Sequence, residues 1–150
     1  MRKFYLIEKY RKLNPTLPTR ATNHSSGYDF SALEEVIIEP GEIKFVETGI
    51  KVEMNEDETL LIFARSSLGL KKGLMLSNSV GVIDSDYFNN DNNEGHIIFP
   101  LYNFKNKTVK VLKGEKICQG IFVKYLKTSD DKPLNNNRVG GFGSSDKNNS

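Results

Sequence analysis

Short apolar runs, separated at fairly regular intervals by turn signals, mark the chain from residue 36 onward. The strongest lie at residues 36–38, 43–52, 59–63, 96–104, 108–112 and 117–126. EPGE, MNEDE, FKNK and KGEK fall between them and carry the Gly, Pro, Asn and charged residues expected where a strand reverses. This pattern predicts an all-β sandwich or barrel, not a helical bundle. In IKFVETGIKVE, apolar and polar positions mostly alternate, which puts Ile43, Phe45, Ile50 and Val52 on a predicted buried face. The phase slips at Thr48 and Gly49, where a bulge or bend at the glycine would absorb it. One helical piece is expected, SSLGLKK, one or two turns opened by serines suited to capping and closed by Gly73. From about Thr128 the composition turns to Asp, Lys, Asn, Gly and Ser with no periodic apolar face. Residues 1–127 are therefore read as one β domain, and 128–150 as a flexible C-terminal arm.

A length of 150 residues suits a single core. Lys plus Arg number 21 against 19 Asp plus Glu, a formal charge of +2, far from the basic balance of a duplex-binding domain, so no nucleic acid partner is expected. The single cysteine, Cys118, cannot build a disulfide framework or a zinc cluster and reads as a small buried side chain. His24 and His96 stand apart without ligand spacing and read as surface or strand residues with no catalytic role. The N-terminal apolar run FYLI is too short for a signal-peptide core or a membrane span, so the expected setting is a reduced cytoplasm.

Five stretches break the strand pattern with residues that contact phosphates, bases or water: SGYDF, ARSSLG, SNSVGVIDSDY, GEKICQ and RVGGFGSS. ARSSLG joins the Arg65 guanidinium to two hydroxyls, Ser66 and Ser67, at the start of the expected helix, which suits an oligophosphate; a capped helix with an exposed arginine is the alternative. In the third stretch, Asn78 offers an amide to a base edge and Gly81 lets a flat ligand approach backbone. Asp84 follows an apolar strand, where it either holds a water as general base or bonds its own backbone as a turn residue. RVGGFGSS either supplies Arg138 for a phosphate, Phe142 for stacking on a base, and Ser144 and Ser145, on a tail that could close as a lid, or is a flexible Gly/Ser tail with one stray aromatic. It is neither a P-loop nor a dinucleotide fingerprint. Gln119 either donates to a phosphate oxygen or faces solvent. Asp29 either orients an arginine, reaches a metal through water, or serves as a structural turn residue.

Taken in order and spacing, the five stretches resemble the five motifs of the trimeric dUTPase family, over residues 26–145. The resemblance implies an all-β jelly roll assembling as a homotrimer with shared active sites, which hydrolyses dUTP to dUMP and pyrophosphate with Mg²⁺ held chiefly by the substrate's phosphates. It implies that Asn78 and the backbone of Gly81, Val82, Ile83 and Asp84 read uracil. Asp84 would orient the water that attacks the α-phosphorus, and Tyr87 would pack under the deoxyribose and exclude a 2′-hydroxyl. Arg65, Ser66, Ser67 and Gln119 would grip the phosphates from a neighbouring subunit, with Asp29 supporting the metal or arginine network. Arg138, Phe142, Ser144 and Ser145 would close from the arm. The chain departs from the family pattern at Ala64, where a proline is usual, at the longer FNNDNNEGH stretch after Tyr87, and at the single residue, Val139, before the glycines. Two other readings share this fold: a dCTP deaminase, for which Glu94 is the only nearby acid, and a dUTP-sensing regulatory trimer with a protein partner that the sequence does not name.

Overall fold

The computed structural model describes residues 1–135, 138 and 140–143. Among these residues the fold is all-β with brief helical turns. Its strands are β1 (Lys3–Leu6), β2 (Thr19–Arg20), β3 (Tyr28–Ser31), β4 (Val36–Ile38), β5 (Ile43–Glu47) and β6 (Ile50–Glu53), then β7 (Glu58–Ala64), β8 (Leu74–Leu76), β9 (Gly81–Asp84), β10 (Ile98–Asn103), β11 (Val109–Val111) and β12 (Lys116–Lys124). Every pairing is antiparallel. The largest sheet runs β2-β3-β12-β7-β9, and a second runs β5-β10-β8. The short pairs β1-β6 and β4-β11 complete the jelly-roll-like arrangement.

Each apolar run singled out in the sequence contains a strand, and the slip at residues 48–49 is where β5 ends and β6 begins. Gly49 turns there with φ +72, a conformation in which a side chain would be strained. The core collects Phe30, Leu60, Ile62, Phe99, Leu101 and Ile117, all 2% exposed or less, and burying each aliphatic one contributes roughly 1.5–3 kcal/mol. Phe30 meets Phe4 and Phe99 edge to face. β12 crosses this core at Gly120, where an added Cβ would lie 2.9 Å from both Leu60 and Phe30. Cys118 is fully buried, as expected, and burial raises its thiol pKa, leaving it unreactive.

Four expectations change. Ile43 and Phe45 face outward, 53% and 58% exposed, because Val46 is the β5 position that meets the core. Asp29 lies within β3, not in a turn. SSLGLKK is the short helix expected, helical from Ser66 with a π-type turn over Leu68–Lys72 closed by Gly73, but the capping role expected of its serines is not made by Ser67, which forms no side-chain cap bond. His96 is neither a surface nor a strand residue: it is 4% exposed and stands before β10. Its Nε2 accepts the Gly49 N–H at 2.9 Å, so the proton sits on Nδ1, 3.7 Å from Glu47, with the Tyr10 ring alongside.

Burial, the largest cause, holds the His96 pKa below its ordinary 6.5; Lys9 lowers it further, while Glu47 and Glu94 oppose. The unfolded chain therefore binds a proton at pH values where the folded chain does not, and stability falls as pH drops below about 6.5. Thermal melts between pH 7.5 and 5.5 should show that loss. His96→Gln keeps an acceptor for Gly49 without the titrating ring and should flatten the slope; an unchanged slope would assign it to other groups.

Candidate active site

Asp84 ends β9, opposite Thr59 on β7. It caps the following 3-10 turn, Ser85–Tyr87, by its backbone only, with no side-chain cap bond. The backbone bond of the turn-residue alternative is not made: the carboxylate pairs with Arg138 instead and is half-exposed. Beside it opens a cavity of about 220 Å³, floored by Ile62, Leu76, Ile97 and Phe99 and rimmed by Asn78, Gly81, Val82, Ile83, Asp84 and Tyr87. An apolar floor under a polar rim is the usual make-up of a small-ligand pocket. Gly81 also permits β9 to approach β7, since a Cβ there would lie 3.1 Å from that of Ile62.

Tyr87 is 9% exposed, and its hydroxyl donates to the His96 carbonyl at 2.6 Å. Burial raises its pKa, against smaller lowering effects of the Asn93 bond and the Arg138 charge, so the phenol stays protonated. The arm reaches the same cavity. Arg138 pairs with Asp84 through Nη2 and with Asp86 through Nε at 2.8 Å, and its Nη1 donates to the Gly140 carbonyl at 3.0 Å. Gly141 lies against the Tyr87 ring, where a Cβ would come within 2.9 Å. Phe142 meets the outward-facing Phe45 edge to face at 5.5 Å between centroids and lines the cavity with Pro100. Ser144 and Ser145 lie outside the described residues.

The phosphate-suited residues gather elsewhere. The β3-β12 register sets Asp29 opposite Gln119, and Arg65 follows the last residue of β7. Arg65 Nε pairs with Asp29 Oδ1 at 3.2 Å, while Lys116 Nζ stands 4.0 Å from Oδ2. Asp29 is 9% exposed, so its buried charge is matched by two cations. Gln119 folds over Gly27, whose missing side chain makes room for the amide: a Cβ would lie 2.4 Å from Oε1. Glycine in the first motif and glutamine in the fourth are thus two halves of one contact. Ser66 is exposed and Ser67 half-buried at the edge of this cluster.

One chain therefore brings the predicted base-and-water residues together with Arg138 and Phe142, and separately brings together Asp29, Arg65 and Gln119. Along β7, Gly81 at one rim of the cavity faces Ile62, whereas Asp84 and Arg65 stand at opposite ends of the strand, Thr59 facing Asp84 and Ala64 leading to Arg65. Five residue steps at about 3.3 Å per residue put them roughly 17 Å apart along the strand. Sequence reasoning missed Asp86, Phe45, His96 and the pair Asn90 and Asn93 behind Tyr87. Only Asp86 had a local signal, its place in DSDY. Glu94, the acid a deaminase would need, accepts from Lys51 Nζ at 2.7 Å and from the Glu8 amide at 3.2 Å, outside the cavity lining.

The family model described as dUTPase matches residues 14–146. The chain belongs to the dUTPase family. A deoxyuridine 5′-triphosphate nucleotidohydrolase from Lactococcus lactis subsp. lactis is 46% identical over 145 residues, covering 96% of this chain and 97% of its own. One from Hydrogenobaculum sp. is 40% identical over 144 residues, with 93% and 95% covered. The crystal structure of dUTPase from Streptococcus mutans superposes with a TM-score of 0.80 at 47% identity, over 84% of this chain and 98% of that one. The dUTPase family, fold and enzyme class expected from the sequence all agree with these relatives. No described helix is long and apolar enough to cross a membrane.

Proposed function

We propose that this dUTPase family member converts dUTP to dUMP and pyrophosphate with Asp84 orienting the water that attacks the α-phosphorus. The observation that carries the reading is the Asp84 carboxylate, unspent on its backbone, at the mouth of a cavity whose rim holds Asn78, Gly81 and Tyr87. Uracil lies along the β9 backbone from Gly81 to Asp84 with Asn78 at its edge, deoxyribose rests on Tyr87, and Phe142 covers the base. Asp84 takes the water's proton as the water attacks in line, a general-base role worth about 10²–10⁴-fold.

Arg65, Ser66, Ser67 and Gln119 of a neighbouring copy grip the phosphates, with Asp29 fixing the Arg65 guanidinium. The separation of Asp84 from Arg65 along β7, roughly 17 Å, supports this sharing, because the water held at Asp84 stands far from the same chain's Arg65. The outward Ile43 and Phe45, with Met75 of β8 at 43% exposure, give the β5-β10-β8 sheet an apolar exterior suited to a second copy. A closed homotrimer satisfies both features. Arg138 exchanges its carboxylate partners for phosphate as the arm closes, joined by Ser144 and Ser145. A cytoplasmic setting agrees with the lone, buried, reduced thiol.

Mg²⁺ fits this donor set as a companion of the substrate. Among the described residues no cluster of three or more His, Cys, Asp or Glu could hold a metal, and Asp29 is already matched by Arg65 and Lys116. Magnesium commonly keeps its waters and binds through substrate phosphates, which leaves Asp29 a contact through water only. When bound, the ion neutralises charge on the phosphate oxygens.

Incubating the purified protein with dUTP, dCTP or UTP plus Mg²⁺ tests the reading. Pyrophosphate should come from dUTP, with UTP turned over far more slowly. Ammonia from dCTP would favour a deaminase, and absence of dUTP turnover would defeat the assignment.

A further inference from the structure

The FNNDNNEGH stretch after Tyr87 is organised by two asparagine side chains. Asn90, 8% exposed, donates from Nδ2 to the Tyr87 carbonyl at 2.7 Å and to Asn93 Oδ1 at 2.8 Å. Its own Oδ1 accepts the amides of Asn92 and Asn93, each at 3.0 Å. Asn93 Oδ1 also accepts from the Gly95 amide at 3.1 Å. A backbone N–H can only donate, so the Asn93 oxygen must face Gly95, and its Nδ2 must face the Tyr87 hydroxyl 2.8 Å away. Tyr87 accepts that bond and gives its own proton to the His96 carbonyl. The phenol is thus held from two sides at its oxygen, while the ring edge rests on Gly141.

We infer that Asn93 is a positioning residue for sugar selection: by fixing the depth and tilt of the Tyr87 ring, it sets how firmly the enzyme rejects a 2′-hydroxyl. The inference rests on the reading of Tyr87 as the surface beneath deoxyribose. A hydroxyl added to a substrate is excluded by shape only if the wall it meets cannot yield, and packing alone rejects such an addition weakly. One donor from a well-bonded loop stops the ring from rocking; the loop's other hydrogen bonds hold that donor in place.

Asn93→Asp keeps the oxygen that Gly95 and Asn90 need and replaces the donor with a charged acceptor, to which the Tyr87 hydroxyl can donate only by leaving the His96 carbonyl. Asn93→Ala removes both oxygen and donor. Tyr87→Phe removes the hydroxyl, and with it the bonds to Asn93 and to the His96 carbonyl, while the loop keeps its own asparagine bonds. Each should lower the ratio of kcat/KM for dUTP to that for UTP by about five- to tenfold, mainly through faster UTP turnover. In the Asn93→Ala/Tyr87→Phe double variant the two losses should not add, because both delete the same bond. A general weakening of the fold would depress both substrates together and leave the ratio alone. Folded Asn93 variants with the wild-type ratio, or losses that add in the double variant, overturn the inference while the proposed function stands. If Asn93→Ala does not fold, Asn93→Asp and Tyr87→Phe decide the matter. A wild-type protein without dUTP turnover, or without preference for dUTP over UTP, overturns both readings.

Discussion

Asp84→Asn is expected to lower kcat for dUTP by about 10³-fold while nucleotide affinity changes only a few-fold. The amide is nearly isosteric and leaves the β9-β7 pairing, the cavity floor and the Tyr87 platform intact. It cannot accept a proton from water at neutral pH, so the loss falls on the chemical step. The substitution also weakens the ion pair with Arg138, but Asp86 still holds that guanidinium through Nε. Titration with a non-hydrolysable dUTP analogue measures affinity apart from turnover. Mixing Asp84→Asn chains with Arg65→Ala chains, under conditions that exchange subunits, should restore activity that neither has alone. Mixed assemblies contain sites with an intact Asp84 from one chain and an intact Arg65 from another. Turnover near the wild-type rate in Asp84→Asn would move the base to another residue, and failure to complement would argue for sites built within single chains.

Deleting residues 138–150 is expected to reduce kcat/KM by about 10²-fold, the scale of effect seen when a closing segment no longer orients a substrate and excludes water. The described contacts that would be lost include the Arg138 bridge to Asp84 and Asp86, the approach of Gly140 to Asn92, the rest of Gly141 on Tyr87, and the Phe142–Phe45 edge contact. None belongs to the central core, so melting temperature and assembly should hold. Phe142→Ala alone should cost a smaller share, falling mainly on kcat/KM. Steady-state kinetics with size-exclusion chromatography check both points. A truncated protein with normal turnover would remove the arm from the mechanism.

Strand positions were legible where apolar runs are local, as in β4, β7, β11 and β12. β8 escaped notice because three residues of Leu, Met and Leu carry no period, and β3 because Tyr28 and Asp29 read as turn chemistry. The face of β5 was misjudged because both of its sides are apolar: Val46 turns inward, Ile43 and Phe45 outward. Alternation cannot say which apolar side meets the core and which meets another surface. Asp84, Tyr87 and Gly81 were recognisable by motif, whereas Asn93 and His96 act through backbone and hydroxyl partners that only folding assembles. A single asparagine in an Asn-rich stretch has no local mark that separates a scaffold from a linker.

β7 pairs with β9 at one end and leads to Arg65 at the other. In a shared-site trimer, that one strand serves two different substrates at once. A chain with a defect at Asp84 silences only the site it supplies with a base, and its phosphate grip still serves the next site. A chain whose β7 is bent by an overpacked Ile62 or Leu60 damages both. Within mixed assemblies the first kind of lesion is diluted by normal copies, while the second behaves as a dominant poison whose harm exceeds its dose.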